Sequence, residues 1–400
     1  MTLFKPSLMH ALVAGTLFAA KAFAQVSVEA RLEKQQYIEG EPIFVTFEVT
    51  NVGGEPVRYN PYGGDVSLRT TDSGLRAQPN MYGCFASLGV MGRSVRWISH
   101  RPDLAPGERF LFSRLLRDYD LKAGVYKLDV AGSAGVDWRN GEDEVPGDSF
   151  DRRLDLSIAR ADGEALERIF FPYVNDALSS DHSRAQAARE VIFEHAPSFL
   201  ESLIARFAFE DDSRVSESAI EALGRIGSDS SRVILRQLFQ ETMQPFRRSK
   251  VVGALALIGH RDDQSLFANV LQEPSIDTGT KSAAAFGLGR IGGDRSVEYL
   301  ESALPTINAE ARGDIATALG ITRSRMAIPV LIGMATDPSI DYRHCSALTT
   351  LTHKDWCGID GQDMDRQEIW TRWWRANRNS VQIYGPDQCP EEIDPLLWQQ

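Results

Sequence analysis

Ala222-Leu-Gly-Arg-Ile-Gly227, Ala254-Leu-Ala-Leu-Ile-Gly259 and Gly287-Leu-Gly-Arg-Ile-Gly292 are three copies of one phrase. Two looser copies follow, Ala318-Leu-Gly-Ile-Thr-Arg323 and Ala347-Leu-Thr-Thr-Leu-Thr352. Their first residues stand 32, 33, 31 and 29 positions apart, and a degenerate copy starts at Ala188. Pro274-Ser-Ile-Asp277 returns as Pro338-Ser-Ile-Asp341, an offset of 64, or two periods. A period of this length, with apolar residues three and four apart, predicts paired helices stacked into a solenoid. The first column is Ala or Gly, which lets neighbouring helices approach closely. The second is Leu in every copy, a core position. Gly227, Gly259 and Gly292 suit the left-handed residue that ends a helix. A second helix is expected after each, around 233–239, 266–271, 297–304 and 328–334.

These columns resemble the HEAT-like repeats of the bilin-lyase type, from about residue 183 to 352. The resemblance concerns the repeat and does not carry lyase chemistry with it. Gly287-Leu-Gly289-Arg-Ile-Gly292 also matches the dinucleotide fingerprint, but that chemistry needs a strand before the glycines and a helix after them. Here the phrase closes a helix and has a sister copy at Ala222 to Gly227, so it reads as repeat punctuation. Some HEAT-repeat proteins are iron-dependent hydroxylases built on His-Glu pairs, and no His-Glu dipeptide occurs in this chain. Cys345 falls in the column of Ile220, Val252, Ala285 and Ala316 and is read as core. His344 falls in an otherwise apolar column and is read as a histidine bonded to the C-terminal segment.

Before the repeats the pattern changes to period two with frequent turns. Candidate strands are 43–49, 57–59, 109–113, 125–130 and 154–158, rich in β-branched and aromatic residues. Short strands separated by turns predict an antiparallel sandwich. Gly40-Glu-Pro-Ile43, Val49-Thr-Asn51, Leu104-Ala-Pro-Gly-Glu108 and Ala123-Gly-Val-Tyr126 resemble an exported bacterial immunoglobulin-like domain. Those motifs are turn chemistry and strand edges, which imply scaffold rather than activity. The acidic stretch 137–151, with Gly141, Pro146 and Gly147, is expected to be a solvated loop.

The first 24 residues hold Lys5 and Lys21, no acid, an apolar run over 8–20 and an Ala22-Phe-Ala24 ending. That is the pattern of a cleaved signal peptide and implies a periplasmic or secreted protein. The 400-residue chain carries 43 basic and 55 acidic side chains, net −12. Without the leader the balance is 41 against 55, net −14. So acidic a chain is a poor general ligand for nucleic acid or anionic membrane. No later apolar stretch is long enough to span a bilayer. The expected organisation is a signal peptide over 1–24, an all-β immunoglobulin-like sandwich over 25–160, an all-α HEAT-like solenoid over 161–352 and a Trp-rich cap over 353–400.

Candidate sites are few. Export permits disulfides, and Cys357 and Cys389, both in the irregular C-terminal region, are expected to pair. Cys84 is left as free or buried. His344, Cys345, His353 and Cys357 lie close together, but their spacing is not that of a zinc finger. Asp360, Asp363 and Asp365 are dense enough for calcium but not spaced as an EF-hand, and Asp363 or Asp365 also suits a helix cap. Trp370, Trp373 and Trp374 share one helix face and are read as covering the last repeat, with an aromatic binding surface as the sharper alternative. No catalytic, cofactor-binding or metal residue is assigned and no cofactor is expected. The sequence supports a protein-binding scaffold of the cell envelope, using the concave solenoid face for a protein partner. Two alternatives stand beside it: an exported hydrolase or lyase with His182, His195, Asp211 or Asp212 at the domain junction, and a protease-inhibitor-like role for the first domain.

Overall fold

The computed structural model describes residues 26–59, 67–70, 103–116, 121–137, 145–242, 244–337, 340, 343–354 and 366–384. Cys84, Cys357, Cys389 and the Asp360, Asp363 and Asp365 stretch lie outside them.

The N-terminal part is β-structure in two sheets. Strands β1 (Val26–Leu32), β3 (Phe44–Asn51) and β7 (Arg109–Leu115) form one, in the order β1-β3-β7. The other contains β2 (Gln36–Ile38), β4 (Val57–Tyr59), β5 (Ser67–Thr70), β6 (Asp103–Leu104), β8 (Gly124–Asp137) and β9 (Val145–Ala159). Alternation decides which residues go inside. Val45, Phe47 and Val49 of β3 meet Tyr126, Leu128 and Val130 of β8 and Leu156 and Ile158 of β9 in one shared core. Phe47 stacks on Phe112 with ring centroids 5.0 Å apart.

The turn residues noted in the sequence tie these strands together. Asn51 is fully buried. Its side-chain amide donates to the carbonyls of Glu55 and Leu104, and its Oδ1 accepts from the Gly53 amide. One short polar side chain therefore joins the end of β3, the turn after it and β6, leaving no buried group without a bond. Part of the expected loop at 137–151 is strand instead. The β8–β9 ladder runs out to Val136↔Val145, with a register shift between Ser133 and Gly135. The shift absorbs the irregular residues of 145–151 without ending the pairing, as bulges do.

The rest of the described chain is helical. It contains α1 (Gly163–Ala177), α2 (His182–His195), α3 (Glu201–Ala208), α4 (Ser213–Ile226), α5 (Asp229–Glu241), α6 (Pro245–Ile258) and α7 (Gln264–Gln272). Then come α8 (Thr278–Ile291), α9 (Asp294–Ala303), α10 (Ala309–Gly320), α11 (Ala327–Met334), α12 (Arg343–Thr352) and α13 (Arg366–Asn377). Starts are set by short polar side chains. Asp181, Asp212, Asp277 and Asn308 accept amide protons at the openings of α2, α4, α8 and α10. Gly227 and Gly259 close α4 and α6 in the left-handed region, at φ 65 and 67. Arg323 occupies the equivalent column at φ 56 without being glycine.

The even-numbered helices α2 to α12 form one row, each packed on the next except that α2 and α4 touch less, and the odd-numbered helices lie behind them. The closest approach is not within the first column of the repeat. It runs from the third column of one copy to the first column of the next. A Cβ on Gly224 would stand 2.9 Å from Ala254 Cα, and one on Gly320 would stand 2.8 Å from both Cα and Cβ of Ala347. A Cβ on Gly289 would meet the Ala318 carbonyl oxygen at 2.7 Å. Both columns must be small for the helices to touch. Gly253, in the same row, has nothing within 4 Å of where its Cβ would stand. Opposite outcomes follow for one chemical change. Gly320→Ala is expected to lower stability by about 2 kcal/mol, because backbone must move. Gly253→Ala is expected to raise it by about 0.5–1 kcal/mol, because only unfolded-state freedom is lost. Parallel urea melts read both, and a shift in the same direction would refute the contact.

One apolar core runs from Phe170 through every repeat to Trp370. Apolar spacing misleads at one point. Val233 of α5 is 63% exposed, because that helix buries Ser231, Leu235 and Leu238 instead. Trp370 of α13 is buried, and Trp373 and Trp374 pack against the same core. The chain then doubles back. Arg325 donates to the Val381 carbonyl, the Tyr384 amide donates to the Leu351 carbonyl, and the Tyr384 ring stacks on His353 at 3.6 Å.

Candidate binding surface

The outward side of the even-numbered row carries charges that bridge successive repeats. Lys250 of α6 donates to Glu221 of α4. Asp314 of α10 accepts from Ser282 of α8 and from Arg343 of α12, the latter at 3.0 Å. Burial pushes the Glu217 carboxyl above the usual carboxylate range, opposed by Lys250 and Arg247 and assisted by Glu221. Its folded pKa is raised, so this group works against folding as the pH rises through it. The surface therefore mixes both signs, although the chain as a whole is acidic.

A second set of charges holds the repeats to one another at the helix ends. Arg225 donates to the Phe193 carbonyl and Arg290 to the Leu257 carbonyl, at 3.1 Å for the second. Each arginine of the repeated phrase thus satisfies an otherwise unbonded carbonyl in the last turn of the preceding even-numbered helix. Burial lowers the Arg290 pKa, and the nearby Arg323 lowers it further. Behind the row, Asp263 is fully buried and holds two arginines of α5, Arg232 and Arg236. Nothing local in the sequence marks this cluster, since its members are 31 and 27 positions apart.

The two junction histidines lie at opposite ends of one helix. His182 opens α2 and His195 ends it, which separates them by roughly 20 Å along the axis. His195 lies edge-on to Phe170. Asp212 is engaged in capping α4, and Asp211 and His182 are exposed. Cys345 and His344 are both buried on α12. Cys345 is disulfide-bonded, which removes its thiolate from any metal site with His344 and His353. Its partner lies outside the described residues. Among the described residues no cluster of three or more His, Cys, Asp or Glu could hold a metal ion. No described helix is long and apolar enough to cross a membrane.

Gly287 and Gly289 sit in the last turns of α8 and Gly292 follows its end, at φ 72 and ψ −170 rather than in the left-handed helical region, with α7 and not a strand before them. The surrounding residues 280–304, which are α8 and α9, match the PBS lyase HEAT-like repeat. No curated protein sequence matches the chain. Among solved structures, human deoxyhypusine hydroxylase in complex with glycerol overlaps it at 13% identity and a TM-score of 0.25, covering 53% of this chain and 98% of that one. Native alpha-2-macroglobulin of E. coli overlaps at 12% identity and a TM-score of 0.21, over 81% of this chain and 25% of that one. A variant alpha-2-macroglobulin from Salmonella does so at 12% identity and a TM-score of 0.20, over 84% and 23%. The chain thus spans about a quarter of the macroglobulins' length. The helical half contains a HEAT-like repeat and is compatible with a protein-binding solenoid.

Proposed function

We propose that this chain is an exported protein-binding scaffold that engages its partner on the even-numbered helix row, with an immunoglobulin-like sandwich as its N-terminal module. One observation carries the reading. The row from α4 to α12 is close-packed, and its outward side repeats polar and charged groups from copy to copy. Helices that pack closer together than those behind them lie on the inside of a bend, and stacked repeats use that side as an extended groove. The unlike charges along it would set the register of a partner more than the affinity.

Export places the mature N-terminus at Gln25, and terminal sequencing of periplasmic or secreted protein checks it. The binding claim is tested on the full mature chain by crosslinking and recovery from an envelope fraction. Lys250→Glu combined with Arg343→Glu reverses two of the bridging charges without touching the core. A partner recovered by the wild type is expected to fall at least tenfold with this variant. Equal recovery by both chains would remove the helix row as the binding surface.

A further inference from the structure

The first residue of β3 carries the β-structure onto the helical stack. Alternation along an extended chain sends successive side chains to opposite faces. Ile43 and Val45 face inward and belong to the core between the two sheets. Phe44, between them, faces outward and packs against the apolar core of the helices. Its cross-strand partner on β7 is Leu115, which therefore lies on the same outward face. Leu115 is 1% exposed. The far end of that face is different. Glu48 there is held by Arg31 and Arg109, and Leu111, opposite Glu48, is 55% exposed. One end of the outer face of the three-stranded sheet is thus buried, and the other faces solvent.

The turn before β3 makes a second contact. Gly40, at φ 81, brings the backbone close to α1, so that a Cβ at this residue would stand 3.7 Å from both terminal carbons of Leu166. Next to it, Glu39 binds two segments with one carboxylate. Its Oε1 accepts the Ala123 amide, just ahead of β8, at 2.7 Å, and its Oε2 accepts the Ala161 amide, just ahead of α1, at 3.4 Å. The Glu39 amide donates to the carbonyl of Ala159, the last residue of β9, at 3.0 Å. Only Arg160, Ala161 and Asp162 join that strand to α1, and Asp162 caps the helix. A link this short, hydrogen-bonded at its middle, leaves α1 little freedom to swing.

Among the described residues no helix precedes α1. Leu166, Ile169 and Tyr173 lie half-buried on it and pack into the same core that Phe44 joins. An array of repeats must have its first apolar face covered as well as its last. We propose that the three-stranded sheet does this at the near end, as α13 does at the far one. The buried end of its outer face, with the Glu39–Gly40 turn, is the N-terminal cap of the helical array, so the β-structure and α1 open and close as one unit. Two domains joined by a plain tether would open independently. No partner enters this, so its failure and that of the binding reading are separate.

Hydrogen exchange on the full mature chain, read by segment, tests the cap. Phe44→Ser removes the outward side chain and leaves Ile43 and Val45 in place. It is expected to speed exchange of the α1 amides at least tenfold, while α8 to α12 exchange as in the wild type. Leu111→Ser, on the same face but at its exposed end, is the control and leaves α1 unchanged. Coupling is reciprocal, so Leu166→Ser, made on the helix side, is expected to speed exchange over 38–45 at least tenfold. Should Phe44→Ser unfold the β-structure, which faster exchange in β8 and β9 would reveal, the Leu166→Ser result decides. In urea melts the two losses are expected to be non-additive, the double variant losing less than their sum. Unchanged α1 exchange in Phe44→Ser, unchanged exchange over 38–45 in Leu166→Ser, or additive losses would each overturn the cap.

Discussion

Asp263→Ala is expected to cost about 3–5 kcal/mol of folding free energy, the cost of leaving a buried charge without its partner. Asp263 is 0% exposed. Arg232 binds it with two parallel bonds, Nε to Oδ2 at 2.8 Å and Nη2 to Oδ1 at 3.0 Å. Arg236 adds a third at 2.9 Å. The Arg232 side chain is itself 14% exposed, so it cannot recover full hydration when the carboxylate goes. The bond spans from α5 to the turn before α7 and so couples one repeat to the next. Removing it should also broaden the transition, because a repeat array unfolds as linked neighbours. Bonding to Asp263 raises the Arg232 pKa, ahead of the opposing effect of burial. A cation with a raised folded pKa keeps its stabilisation below the unfolded value and loses it only above. The deficit of the variant should therefore be flat in this group's contribution from pH 6 to 9. Urea melts at both pH values measure it. Asp263→Asn keeps the shape and one acceptor and should cost less. A loss for Asp263→Ala no larger than a surface substitution, about 0.5 kcal/mol, would show that the cluster is solvated.

Much of the architecture was legible because it is written locally. The period shows in helix-closing glycines and in a Leu that never varies. Each of these reports on the nearest few residues, and so does alternation in β3 and β9. What escaped was any relation between repeats. Gly224 touches Ala254, a contact between the third column of one copy and the first of the next that no single copy displays. Asp263 sits in a turn with Arg261 and Asp262, and nothing local in the sequence sets it apart from a surface acid. Of the junction residues, His182 and His195 cannot share one pocket, since a helix of 14 residues separates its own ends.

Trp370→Ala is expected to cost about 3–5 kcal/mol, the range for emptying an indole-sized site in a core. The residue is 1% exposed and is among the largest fully buried side chains of the described chain. It lies on α13, which packs on α11, and its ring meets Trp373 edge-on at 5.5 Å. An open stack of repeats ends in an apolar face that must be covered, and Trp370 reaches into the continuous core from that end. The aromatic triplet could instead have been a ligand surface, and the substitution distinguishes the two uses. If Trp370 closes the stack, its loss lowers the urea midpoint and lets the last helices exchange their amide protons first. α12 and α13 should then lose protection well before α4 and α6, because coupling weakens with distance along the array. Trp374→Ala, at a half-buried position, should reproduce the pattern with a smaller amplitude. Hydrogen exchange on the two variants resolves this by segment. Uniform loss of protection from α2 to α13 would show a single cooperative block, and unchanged protection would show that α13 contributes nothing to closing the stack.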